Sequence, residues 1–304
     1  MGRSEERAAA PETTTAGGPF VLVGTDGSPS SLEAVEAAAR EAGRRGARLV
    51  VAHAFIWPLF RVGLEPSVYG PTESGLRRQA QIVVDTAVAR ARTVAPGTEV
   101  SGELISGEPL VVLATRSKGA ELVVVGSRGT GGFAGVVLGS VAVHLAAHAA
   151  CPVLVVRGPG EPDGPVLLAV DGSPDSDAAV DFAFTEARAR GAGLVAVHAW
   201  TPRSAPGDLT GLFHSAEQVH EEAARVLDAA LARAAERHPG VEAEPRLVRG
   251  RPREVLLEES ENAQLVVMGA RGRGGFAGLL LGSVSQALLH HARCPVAIVR
   301  DGVA

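Results

Sequence analysis

The chain contains the same pattern twice. Gly126-x2-Gly129-x9-Gly139-Ser140 returns as Gly269-x2-Gly272-x9-Gly282-Ser283, and the likeness runs far beyond these loops. PFVLVGTDGSPSS near the start is answered by GPVLLAVDGSPDS, setting Asp26 opposite Asp171. VVAHAF is answered by VAVHAW, setting His53 opposite His198, and CPVLVVR by CPVAIVR. Equivalent residues lie 145 apart early in the unit and 143 apart later, so about two residues of length separate the copies. A tandem duplication of a unit of roughly 140 residues, a usual domain size, restricts the chain to two like domains. The expected division is a disordered tail over 1–18, a first domain over 19–157, a linker over 158–164 and a second domain over 165–301.

Each unit alternates apolar runs with helical patterns. Residues 21–25 form a short β-branched and aliphatic run, broken by Asp26-Gly-Ser-Pro. Ser30-x-x-Glu33 has capping-box spacing ahead of Leu32, Val35, Ala38, Ala39 and Ala42, which share one helical face. A strand over 49–55 follows, then a Pro- and Gly-bearing stretch over 57–75, with its counterpart at 201–215. Both are read as a lid or a partner surface. A helix over 76–94, a strand over 99–105, a short helix opening at Glu108-Pro109, a strand over 122–125, a helix over 140–149 and a strand over 153–156 complete the unit. Strands apolar on both faces and separated by helices imply a parallel sheet covered on each side.

Composition narrows the function. Aromatics are only 4% of the chain, so the cores must be built from Val, Leu, Ala and Ile. A net charge of −5 gives no reason to expect nucleic-acid binding. No apolar run is long enough to span a bilayer and the N-terminus lacks a secretory core, so a soluble, cytoplasmic protein without membrane contact is expected. Cys151 and Cys294 are equivalents, each preceding Pro at the start of an apolar strand, and read as buried thiols.

In an open α/β sheet, ligands bind beyond the carboxyl ends of the strands at the switch in strand order. Asp26 ends the first strand and Gly126 the fourth, so both reach one crevice if those strands are neighbours. Gly126 and Gly129 would let the backbone approach a sugar or phosphate. Gly139-Ser140, opening a helix, would present amides, a hydroxyl and the positive dipole end to an anion. Gly269, Gly272, Gly282 and Ser283 repeat the arrangement.

On these residues the chain resembles the universal stress protein family, in its ATP-binding, tandem two-domain form, over nearly all of 19–301. The resemblance implies two tandem open parallel five-stranded sheets of order 3-2-1-4-5 with helices on both faces, a Rossmann-like α/β fold. It implies adenine contacts at Asp26 and Ala54, and at Asp171 and Ala199. Phosphate contacts would fall on Gly139, Ser140 and the Val141 amide, and on Gly282, Ser283 and the Val284 amide. It also implies that the fifth strands, 153–156 and 296–299, pair within the chain as a pseudo-dimer, with a homodimer of whole chains as a further expectation.

The expected function is a nucleotide-responsive regulator in stress response, binding ATP with Mg2+ on its phosphates and acting on an unidentified protein partner. An ATP-hydrolysing or adenylyl-transferring enzyme of related fold is the alternative, and a scaffold holding structural nucleotide a third reading. No carboxylate or histidine within either glycine loop is an evident water-activating base, so no catalytic residue is assigned. A Walker motif is excluded, since Lys118 is the only lysine and lies outside the loops. Gly129-Thr-Gly131-Gly132-Phe-Ala134 fits a relaxed dinucleotide fingerprint but follows the fourth strand rather than the first. His144 and His148 have the spacing of zinc ligands on a helix, yet the second copy has Ala287 opposite His144; no metal site is assigned. His53 and His198 read as packing or hydrogen-bonding residues, and Arg128 and Arg271 as candidate phosphate neighbours.

Overall fold

The computed structural model describes residues 18–56, 72–129, 138–201, 215–273 and 280–302. All of the expected tail but Gly18, most of the two candidate lid stretches and the middles of both glycine loops lie outside the described residues. The first unit runs β1 (Phe20–Gly24), α1 (Pro29–Arg45), β2 (Arg48–Phe55), α2 (Thr72–Val94), β3 (Val100–Ser106), α3 (Pro109–Arg116), β4 (Leu122–Gly126), α4 (Ser140–His148) and β5 (Val153–Val156). The second repeats it as β6 (Val166–Ala169), α5 (Pro174–Arg190), β7 (Leu194–Trp200), α6 (Ala216–Arg237), β8 (Ala243–Arg249), α7 (Pro252–Glu259), β9 (Leu265–Gly269), α8 (Ser283–His291) and β10 (Val296–Val299).

Within each unit the strands are parallel and ordered 3-2-1-4-5, as the family resemblance implies. The two five-stranded halves are fused into one ten-stranded sheet, β3-β2-β1-β4-β5-β10-β9-β6-β7-β8. The seam is antiparallel, with Val153 opposite Ile298, Leu154 opposite Ala297 and Val155 opposite Val296. Because the halves run in opposite directions, the carboxyl ends of their strands, and with them the two crevices, face opposite edges of the sheet.

Period-two alternation sorts the strand side chains into two cores. Val21, Val23, Leu49, Val51 and Val124, with equivalents such as Leu168 and Val267, pack under α1, α2, α5 and α6. Leu22, Val50, Val123, Val153, Leu167 and Val266 face α3, α4, α7 and α8. Each core is continuous across the seam, so the halves share their hydrophobic interior. Cys151 and Cys294 are buried within the second core, and burial pushes both thiols up to about 12.

The start of α1 differs from the sequence expectation. The cap is Ser28, not Ser30: Ser28 is extended (φ −66°, ψ 155°) and its Oγ accepts from the Ser31 amide at 3.2 Å. Pro29 decides this, because it fits the first helical position and pushes the residue before it out of helical space. Ser173 and Pro174 repeat the device on α5. Both helices end at a left-handed glycine, Gly46 (φ 62°) and Gly191 (φ 61°).

Across the seam the two units exchange charges reciprocally. Glu41 and Arg45 on α1 meet their own equivalents, Glu186 and Arg190 on α5. Arg190 bonds Glu41 at 2.5 Å and also Glu186, while Arg45 bonds Glu186. Arg44 adds a 2.8 Å pair to Glu41. The side chains of Glu41 and Glu186 are each only 3% exposed. Helix C-termini are exchanged too: Arg157 donates to the carbonyls of Leu288 and Leu289 on α8, and its equivalent Arg300 donates to Ala149 at the end of α4, 3.2 Å away. The connecting segment, 158–164, lies against the second unit, with the Glu161 amide donating to Ala263 O at 3.1 Å.

Candidate functional sites at the two crevices

Pairing of β1 with β4 brings Asp26 and Gly126 to one crevice. The crevice is a cleft of about 680 Å³, and its lining includes every first-unit residue singled out from sequence: Asp26, Ala54, Gly126, Gly129, Gly139, Ser140 and Val141. The sequence reading missed Pro109 and Leu113 of α3, and Leu138, which form an apolar wall opposite the strand ends. Their spacing was visible, since Pro109 and Leu113 stand one helical turn apart on the face turned to the sheet.

Asp26 sits in a tight turn. Its Oδ1 accepts from the Ser28 amide at 3.0 Å, and its own amide donates to Ser31 Oγ at 3.4 Å. A Cβ on Gly129 would stand 2.6 Å from Asp26 Oδ2, so the glycine is what admits the carboxylate beneath the loop. A Cβ on Gly126 would stand 2.6 Å from the Ser30 carbonyl oxygen. These two glycines are therefore required by packing, whatever binds above them. His53 turns its Nδ1 to the Thr25 carbonyl at 2.7 Å, tying the ends of β1 and β2 together.

Gly139 is different. Its φ is −75° and its ψ 149°, open to any residue, and among the described residues an added Cβ would meet nothing closer than 3.6 Å. Gly282 matches it, with φ −69° and a nearest neighbour at 3.5 Å. Among the described residues neither backbone conformation nor packing calls for a glycine here in either copy. The sequence expectation of a free amide at these glycines needs correction: Gly139 N donates to Ser127 O at 2.7 Å and Gly282 N to Ala270 O at 2.8 Å. Those bonds hold the loop end in place and leave the amides of the first helical turn, Ser140 and Val141, as the donors without an intrahelical acceptor.

In the second unit β6 pairs with β9, and Asp171 lies against Gly272 while Asp175 lies against Gly269. Asp171 Oδ1 accepts from the Ser173 amide and hydroxyl at 3.0 and 2.6 Å, and Oδ2 accepts from the Arg273 amide at 3.1 Å. Ala199 lies near the end of β7, and Gly282, Ser283 and Val284 open α8. His198 bonds the Val170 carbonyl at 2.7 Å; burial lowers its pKa, and nearby Arg273 acts in the same direction. Ser285 Oγ lies 3.0 Å from the carbonyls of both Gly269 and Ala270, bracing this loop. Among the described residues no group of three or more His, Cys, Asp or Glu could hold a metal, and no helix is long and apolar enough to cross a membrane.

A parallel α/β sheet in each half, with a glycine-lined cleft at the switch of strand order in the first and the same residue pattern at that place in the second, puts the chain among doubly wound α/β proteins. Comparison with known proteins narrows this. The model of the universal stress protein family matches residues 20–157 and again 164–300, and the chain belongs to that family. A universal stress protein of Mycobacterium tuberculosis is 39% identical over 294 residues, covering 92% of this chain and 97% of its own length. One of Mycolicibacterium smegmatis is 38% identical over 292 residues, covering 92% and 96%. The crystal structure of a universal stress protein from Archaeoglobus fulgidus superposes with a TM-score of 0.68 at 22% identity, over 93% of this chain and 98% of that one.

Proposed function

We propose that this tandem universal stress protein binds ATP in its crevices and acts as a nucleotide-responsive regulator rather than as a catalyst. The observation that carries the reading is Gly139 and Gly282, glycines that the backbone and the described neighbours do not require, at the start of a helix whose first amides can receive an anion. Asp26, fixed at the end of β1, supplies an acceptor for an adenine or ribose donor, and the wall of Pro109, Leu113 and Leu138 supplies apolar area for the base. Mg2+ would arrive with the phosphates, since the described residues offer no carboxylate cluster to hold it independently.

Turnover is disfavoured because neither glycine loop, 126–139 or 269–282, contains a carboxylate or histidine to activate water. Asp26 accepts a backbone hydrogen bond through Oδ1, and His53 commits Nδ1 to Thr25. A ligand with higher affinity for one arrangement of the two units shifts their population without chemistry. The deciding experiment is mass spectrometry of an acid extract of the purified protein, with calorimetric titration by Mg-ATP. Bound adenine nucleotide that is not turned over supports the reading. Phosphate or pyrophosphate release above a Gly139→Asp, Gly282→Asp background supports the enzymatic alternative. No binding in either measurement overturns ATP binding.

A further inference from the structure

The two crevices differ at the residue beneath the glycine loop. In the first unit that residue is Ser30, whose Oγ accepts from the Arg128 amide at 3.3 Å. The Arg128 side chain lines the cleft and makes no ion pair among the described residues. In the second unit the equivalent is Asp175, only 3% exposed. Its Oδ2 accepts from the Arg271 amide at 3.0 Å and from Arg271 Nε at 3.3 Å, and its Oδ1 from the Asp301 amide at 2.9 Å. Arg271 is the counterpart of Arg128. One substitution thus puts a buried negative charge under the loop and commits the loop's arginine to it.

We propose that the crevices are unequal sites for a polyphosphate, the first tight and the second weak, and that residue 30 against residue 175 sets the difference. This rests on the nucleotide reading above. A phosphate chain over the first loop has a neutral hydroxyl beneath that loop and, in Arg128, a guanidinium without an ion pair among the described residues. Over the second it has a buried carboxylate beneath the loop and an arginine already paired with that carboxylate.

Three further exchanges add positive charge around the second crevice, and two of the new cations, Arg249 and Arg251, meet a side-chain partner. Arg273, replacing Thr130, lays its guanidinium against Gly172 beside Asp171. Arg249, replacing Ser106, lies over the Trp200 ring at 6.0 Å. Arg251, replacing Glu108, pairs with Glu254 at 3.3 Å and is 79% exposed. Exposed charge is screened by salt far more than the buried carboxylate.

The test titrates the full chain with Mg-ATP, isolating the first site with Gly282→Asp and the second with Gly139→Asp. The first site should bind at least about tenfold more tightly, the scale on which a like-charge contact is felt at an interface. Asp175→Ser or the shape-conserving Asp175→Asn should strengthen the second site, and Ser30→Asp should weaken the first while Ser30→Asn should not. Adenosine, which carries no phosphate, should be indifferent to all four. Equal ATP affinities unmoved by these substitutions would overturn the inequality and leave nucleotide binding standing, as would adenosine responding as strongly as ATP. Absence of ATP binding at both sites would overturn the two readings together.

Discussion

Replacing Glu186 with alanine would test what holds the halves together. Glu41 and Glu186 jointly face Arg44, Arg45 and Arg190 in the wild-type seam; after the substitution Glu41 alone faces all three cations. The side chains of Arg190 and Arg45 are 7% and 13% exposed, so solvent cannot supply the lost carboxylate. Burial already pushes the Arg190 guanidinium down to about 10, with Glu41 acting against it. Removing one partner of a buried ion pair costs about 3–5 kcal/mol. With a urea m value of about 3 kcal/mol/M, the unfolding midpoint should fall by roughly 1–1.7 M. The exposed pair Arg233–Asp177, 55% and 50% exposed, is the control, and Asp177→Ala should cost about 1 kcal/mol or less. Replacing Glu41, Arg45, Glu186 and Arg190 together with Leu and Met should be neutral or stabilising by about 1–4 kcal/mol. A Glu186→Ala midpoint no lower than that of Asp177→Ala would refute the argument that this cluster is desolvated.

The lowered pKa of His198 means that the unfolded chain binds more protons between that depressed value and the ordinary 6.5; stability should fall as pH drops below about 6.5. Melting temperatures between pH 5 and 8 should show this slope, and His198→Asn should reduce it, leaving the like-signed share of His290. Cys151 and Cys294, with thiols near 12, should resist a thiol reagent at neutral pH and react once urea unfolds the chain. Gly129→Ala should displace the Asp26 carboxylate, costing about 1–3 kcal/mol of stability and weakening nucleotide at the first site alone; unchanged calorimetry would dissociate Asp26 from binding.

The fold was legible because the duplication let each weak signal be read twice, and because strand runs such as 122–125 are apolar on both faces. Spacing also placed Asp26 and Gly126 in one crevice, given that β1 and β4 are neighbours. What spacing could not do was assign reasons to glycines. Gly129 makes room for a carboxylate that is distant in sequence, while Gly139 makes room for nothing among the described residues, and only the three-dimensional arrangement separates the cases. Ser30 resembled a cap because a capping box is a local pattern; the proline beside Ser28 outweighed it. Glu41 and Arg45 stand four apart on a helix, the look of a surface pair, and their burial follows from a second unit docking on α1. The clue was their recurrence as Glu186 and Arg190.

The seam is built from the same residues contributed twice, so each half carries a surface complementary to itself as well as to its sibling. A segment as short as 158–164 decides which pairing occurs, because it keeps the sibling's strand at an effective concentration on the order of millimolar. Cleavage within that segment would make assembly bimolecular and concentration-dependent. The liberated halves would then sort among first–first, second–second and mixed pairs, so the tether selects the combination that unites two chemically different crevices in one particle.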